Sequence, residues 1–104
     1  MENDALQNRF KNSVIHRDSQ TALLCIELGV DVNRVFYVGN RPLHIAVLHN
    51  DLALVRSLLE HGAYIHRTNL RGASPLDIAI NNGFFDVARY LRSKGAHIRA
   101  PLLG

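Results

Sequence analysis

The sequence predicts an all-α fold: a solenoid of about three helix-turn-helix units joined by short β-hairpin-like loops. Three observations carry this. Gly29-Val30-Asp31-Val32 recurs as Gly62-Ala63-Tyr64-Ile65 and as Gly95-Ala96-His97-Ile98, at an interval of 33 residues in both steps. Gly39-Asn40-Arg41-Pro42-Leu43-His44-Ile45-Ala46 returns at the same interval as Gly72-Ala73-Ser74-Pro75-Leu76-Asp77-Ile78-Ala79. Between these markers Val55, Leu58 and Leu59 stand at i, i+3 and i+4, as do Ala22, Cys25 and Ile26, so each trio shares one helix face. A fixed period of this size marks stacked units, none of which can bury its apolar face alone.

Each element follows from local chemistry. Pro42 and Pro75 lack an amide hydrogen and suit the first turn of a helix, so each opens the first helix of its unit. Ser74 with Asp77 three residues on has the spacing of a reciprocal cap. The trios above form the core stripes of the second helices. Gly29, Gly62 and Gly95 follow those helices where a left-handed residue ends the last turn. Beyond them the chain is extended, as the alternation in Val30-Asp31-Val32-Asn33 indicates, and Gly39 and Gly72 mark the turn before the next helix. The units fall at about 3–35, 36–68 and 69–101, with a tail at 102–104, all in one domain spanning 1–104.

These residues resemble the ankyrin repeats, whose unit is 33 residues long with a β-turn and two antiparallel helices. Pro42-Leu43-His44-Ile45-Ala46, followed by Val55, Leu58-Leu59 and Gly62-Ala63, reproduces the family pattern, and the resemblance extends over about residues 5 to 101. Arg41 stands where the family has Thr, which predicts a less well capped turn. In the first unit Asn8-Arg9-Phe10-Lys11-Asn12-Ser13 occupies the place of the Thr-Pro-Leu-His motif and is similar to an N-terminal cap. In the last unit Asp77 replaces His, Asn82-Gly83 follows the first helix, and Arg92 replaces the second Leu of the pair. These features resemble a C-terminal cap with a polar, solvent-facing outer side, and the expectation is a complete array: two caps around one full repeat.

Composition narrows the function classes. Hydrophobic residues make up 47% and charged residues 20% of the 104, which is ordinary for a packed globular chain. No apolar run approaches the roughly 18 residues of a membrane span, and Met1-Glu2-Asn3-Asp4 is unlike a basic secretory leader; the expected location is cytoplasmic or nuclear. Cys25 is the single cysteine, so an internal disulfide is excluded. The net charge of +3 rests on twelve basic residues, ten of them Arg, against nine acids. Arg89, Arg92, Lys94 and Arg99 make the C-terminal end locally basic, but the acids are interspersed and the pattern reads first as a solvated helix face.

No catalytic, cofactor or metal site is expected. His44 belongs to the family motif, where it bonds locally and to the next unit. His49 and His61 fall near helix ends, where a protonated imidazole suits the dipole. His66 and His97 occupy successive inter-repeat segments, and nothing nearby recommends His16. No cysteine pair or carboxylate cluster completes a tetrahedral set around these imidazoles. Cys25 lies in a core stripe rather than in the electropositive setting of a reactive thiolate. Neither a Gly-x-Ser-x-Gly elbow nor a phosphate-cradling glycine loop occurs.

The resemblance implies a protein-binding module, acting as an adaptor, scaffold or competitive inhibitor through the hairpin tips and the exposed side of the first helices. Val35-Phe36-Tyr37-Val38 places apolar and aromatic residues at a hairpin where the family carries polar ones, and exposed aromatics of this kind mark contacts. Phe36 either joins that surface or folds back on the N-terminal unit, whereas Tyr37 is expected to bind. The surface continues onto Asn40, Leu48 and His49, then onto Asn69, Leu70, Arg71, Ala73, Asn81 and Asn82. Arg34 and Arg67 hold equivalent places one repeat apart and are expected to stack along the array, forming a basic edge with Arg71. The expected ligand is a protein with an apolar anchor and acidic flanks, bound by a monomer. The alternative is a nucleic acid or other polyanion held at the Arg-rich edge. Asn33 also resembles the hairpin asparagines that some ankyrin proteins offer for hydroxylation.

Overall fold

The computed structural model describes residues 2–98, and Arg99 and the tail at 102–104 lie outside them. Six helices follow in order: α1 Glu2–Ile15, α2 Ser19–Glu27, α3 Pro42–Leu48, α4 Leu52–Glu60, α5 Pro75–Asn81 and α6 Phe85–Ser93. They pair as α1 with α2, α3 with α4 and α5 with α6. The first helices stack α1 on α3 on α5, and the second helices stack α2 on α4 on α6. The result is a three-layer all-α solenoid measuring 49 × 24 × 21 Å.

Sequence chemistry accounts for most helix starts. Pro42 and Pro75 occupy the first turns of α3 and α5. At α5 the cap is reciprocal: the Asp77 amide donates to Ser74 Oγ at 3.1 Å and the Ser74 amide donates to the Asp77 carboxylate at 2.9 Å. At α3 one half is present, since the Arg41 amide donates to His44 Nδ1 at 3.0 Å while a guanidinium offers no acceptor in return. The Nε of Arg41 is also buried without a hydrogen-bond partner. Asp18 and Asp51 cap α2 and α4 through the amides of Thr21 and Leu54. The Thr21 side chain and amide hold the Asp18 carboxyl below its usual value.

The first unit departs from the expected plan. Residues 8–13 lie inside α1, which begins at Glu2 and runs for 14 residues, whereas α3 and α5 have seven each. The cause is local: Ala5, Leu6 and Gln7 are good helix formers, and no proline or glycine precedes Asn8 to set a later start. Gln7, in this added stretch, accepts a hydrogen bond from the Asp31 amide and donates to the Asp31 carbonyl, tying α1 to the first inter-repeat segment.

The core follows the predicted stripes. Ala22, Cys25, Ile26, Val55 and Leu58 are buried, together with Phe10, Leu43, Leu76, Val87 and Leu91. Burial pushes the Cys25 thiol up from its ordinary value. Phe36 also turns inward, meeting Phe10 edge to face with ring centroids 6.1 Å apart. Of its two possible placements the structure takes the folded-back one, because Phe10 supplies an apolar neighbour across the first seam. The outer side of the third unit differs from the polar cap expected of it. Arg92 faces solvent there, but so do Ile80, Phe85 and Ile98.

Candidate protein-binding groove

Two hairpins build the site. In the first, the Phe36 amide donates to the Asn40 carbonyl and the Asn40 amide to the Tyr37 carbonyl, both at 2.8 Å. Its tip places Val38 at φ +53° and Gly39 at φ +71°, the successive left-handed pair of a type I′ turn. Glycine adopts this freely, whereas a β-branched valine is strained there. In the second hairpin the Asn69 amide donates to the Ala73 carbonyl at 2.9 Å. The Asn69 carboxamide oxygen accepts from the amides of Arg71 and Ala73.

The hairpins are fastened to each other. The Leu70 amide donates to the Val38 carbonyl at 3.2 Å, and the Asn69 side-chain amide donates to Asn40 Oδ1 at 2.9 Å. Contact is close enough that a Cβ on Gly39 would lie 2.7 Å from the Leu70 nitrogen. His44 adds a buried tie. Its Nδ1 accepts the Arg41 amide, so the proton sits on Nε2, which donates to the Arg67 carbonyl at 3.0 Å. Burial lowers its pKa, keeping the imidazole neutral as this pattern requires.

Between the hairpins and the first helices lies a groove of about 320 Å³. Nine of the sequence-predicted residues line it: Tyr37, Val38, Asn40, Leu48, Asn69, Arg71, Ala73, Asn81 and Asn82. The wall is completed by His44, Ile45 and Ile78. Sequence reasoning passed over Ile45 and Ile78, since an isoleucine after the motif's third position reads as core; Ile45 is indeed buried and Ile78 is half-buried, and no sequence signal marks either for the groove.

The remaining predicted residues sit elsewhere. Phe36 belongs to the core side. His49 caps the end of α3, where burial and then the charge of Arg17 lower its pKa, opposing the protonated form expected from the helix dipole alone. Leu70 is exposed at the second hairpin tip, and Arg34 is exposed on the segment before the first. Arg67 lies over the Tyr64 ring, 4.9 Å from its centroid. That cation–π contact with its own unit is the placement found in the structure for a side chain expected to stack along the array.

Among the described residues, no group of three or more His, Cys, Asp or Glu side chains is placed to hold a metal ion. No helix there is long and apolar enough to cross a membrane.

A three-layer stack of paired helices with hairpins along one edge defines a class of interaction scaffold. The family model for ankyrin repeats, in three copies, matches residues 9–101, and the chain belongs to the ankyrin-repeat family. Ankyrin repeats are generally protein–protein interaction modules. Comparison with curated proteins gave no match.

Proposed function

We propose that the chain is a non-enzymatic protein-binding module that engages its partner through the groove between the two hairpins and the concave side of α3 and α5. The observation that carries this is the convergence of Tyr37, Val38, Leu48 and Arg71 on one concavity. Tyr37 is 47% exposed and held on a tight turn, so it offers contact area at little entropic cost on binding. The Asn40 side-chain oxygen is engaged by Asn69 and the Asn82 side-chain amide donates to the Ile78 carbonyl, which leaves Asn81 to meet the partner's backbone. Arg71 supplies the charge for an acidic flank. The groove is formed within one chain and needs no second copy, and it serves in the cytoplasm or nucleus as an adaptor, scaffold or competitive inhibitor.

The test is affinity capture from lysate with the intact chain beside Tyr37→Ala and Arg71→Ala. Binding falls at least tenfold in each variant while the helical circular dichroism is unchanged. Retention of all captured proteins by both variants removes the groove from consideration. Capture dominated by RNA or DNA, and lost steeply as salt rises, would favour the polyanion reading instead.

A further inference from the structure

The outer face of the third unit repeats, in register, the face by which the second unit holds the third. Stepping back one repeat from Ile80, Phe85, Ala88, Arg92 and Ile98 gives Val47, Leu52, Val55, Leu59 and Ile65. Val47 and Val55 are fully buried, and the other three pack against the core. Arg56, the counterpart of Arg89, places its guanidinium 5.1 Å from the centroid of the Tyr90 ring in the third unit. Four of those five stacking positions stay apolar in the third unit, yet Phe85 is 65% exposed and Ile80 and Ile98 are exposed with it. With Arg89 and Arg92 they line an open depression of about 640 Å³.

The opposite end carries the complementary half. Tyr90 and Lys94 face back toward Leu59 and Ile65 of the second unit. Two repeats earlier the same positions hold Leu24 and Leu28, which are 54% and 61% exposed.

We propose that these faces bind each other: the third unit of one copy stacks on the first unit of the next, through Ile80, Phe85 and Ile98 against Leu24 and Leu28. The occupant is a second copy because the chain presents both halves of the contact at the positions its own seams use. Such a contact is heterologous and does not close on itself as a two-fold dimer does, so assemblies grow with concentration. The groove is not involved, and loss of partner capture through Tyr37 has no bearing on the stacking.

Sedimentation of the intact chain over a wide concentration series tests this. The weight-average mass should rise steadily above that of the monomer without a plateau at the dimer. Phe85→Glu blocks one face and Leu24→Glu with Leu28→Glu blocks the other; each variant alone should sediment as a monomer. Mixed one to one, they should form a single heterodimer, since each retains the face the other lacks. An intact chain that stays monomeric overturns the proposal, whatever helical protein it binds otherwise. So does a mixture that remains monomeric while both variants keep native circular dichroism, or a variant that still dimerises alone. Should a glutamate variant lose its fold, Phe85→Ser and Leu28→Ser serve in the same mixing experiment.

Discussion

The Asn33 carboxamide oxygen accepts the Tyr64 amide at 2.8 Å, while its amide nitrogen donates to the Gly62 carbonyl at 3.0 Å. One side chain therefore satisfies two backbone groups of the following unit. One repeat later the position is His66, whose ring lies 5.0 Å from that of His97, so the two seams are held by different chemistry. Asn33→Ala should destabilise the chain by about 1–2 kcal/mol, the range for losing hydrogen bonds and leaving partners to be resolvated. His66→Ala, at an exposed site, should cost less than about 0.5 kcal/mol. Urea unfolding midpoints of the two variants check the contrast.

The half-formed cap at α3 can be completed. Arg41→Thr supplies a hydroxyl acceptor for the His44 amide and removes a buried Nε that has no partner. The expected gain is about 1 kcal/mol, the usual worth of an N-cap. Ser74→Ala should lose a similar amount by breaking the reciprocal cap at α5. Thermal melts moving in opposite directions would bear this out.

Val38 and Gly39 separate two kinds of turn cost. Val38→Asn relieves a β-branched residue at φ +53° and should stabilise by about 1 kcal/mol, since asparagine tolerates the left-handed region. Gly39→Ala should destabilise more than Gly72→Ala. Both have positive φ, but only at Gly39 does the new Cβ meet backbone, at 2.7 Å from the Leu70 nitrogen. Calorimetric melting temperatures of the three variants decide it.

Stability should fall in mild acid. His44 and His49 have pKa values lowered in the folded chain, both mainly by burial. The unfolded chain therefore binds more protons as pH drops through the ordinary histidine value of about 6.5. The neutral imidazoles' contribution is fully present above that value and is lost progressively below it, toward the folded-state values. His44→Gln should flatten this dependence in urea titrations between about pH 7 and pH 5.

Much of the fold was legible because its determinants are local and repeated. Pro42, Pro75, the Ser74–Asp77 spacing and the apolar trios each act within one or two helical turns, and each recurs. The early start of α1 was missed for want of a start signal before Asn8. The placement of Phe36 depended on Phe10, 26 positions away in the chain, a contact that no local pattern encodes. The groove was half legible. Its hairpin residues stand out by type, while Ile45 and Ile78 look like any core isoleucine, and only the folded chain leaves the latter half-buried at the groove. The third unit's outer face was misread because Asn82-Gly83 and Arg92 were weighed without Phe85 and Ile98.

The groove has walls that belong to different layers: Tyr37, Val38 and Leu48 to the second, Arg71, Ile78 and Asn81 to the third. It works like a caliper whose jaws are mounted on separate pieces, with the Asn40–Asn69 bond near its pivot. A ligand gripping both jaws clamps the layers together, so its free energy of binding is added to the cohesion of the array. Conversely, whatever spreads that seam opens the jaws, so on the proposed function a sequence change far from the groove would retune its grip.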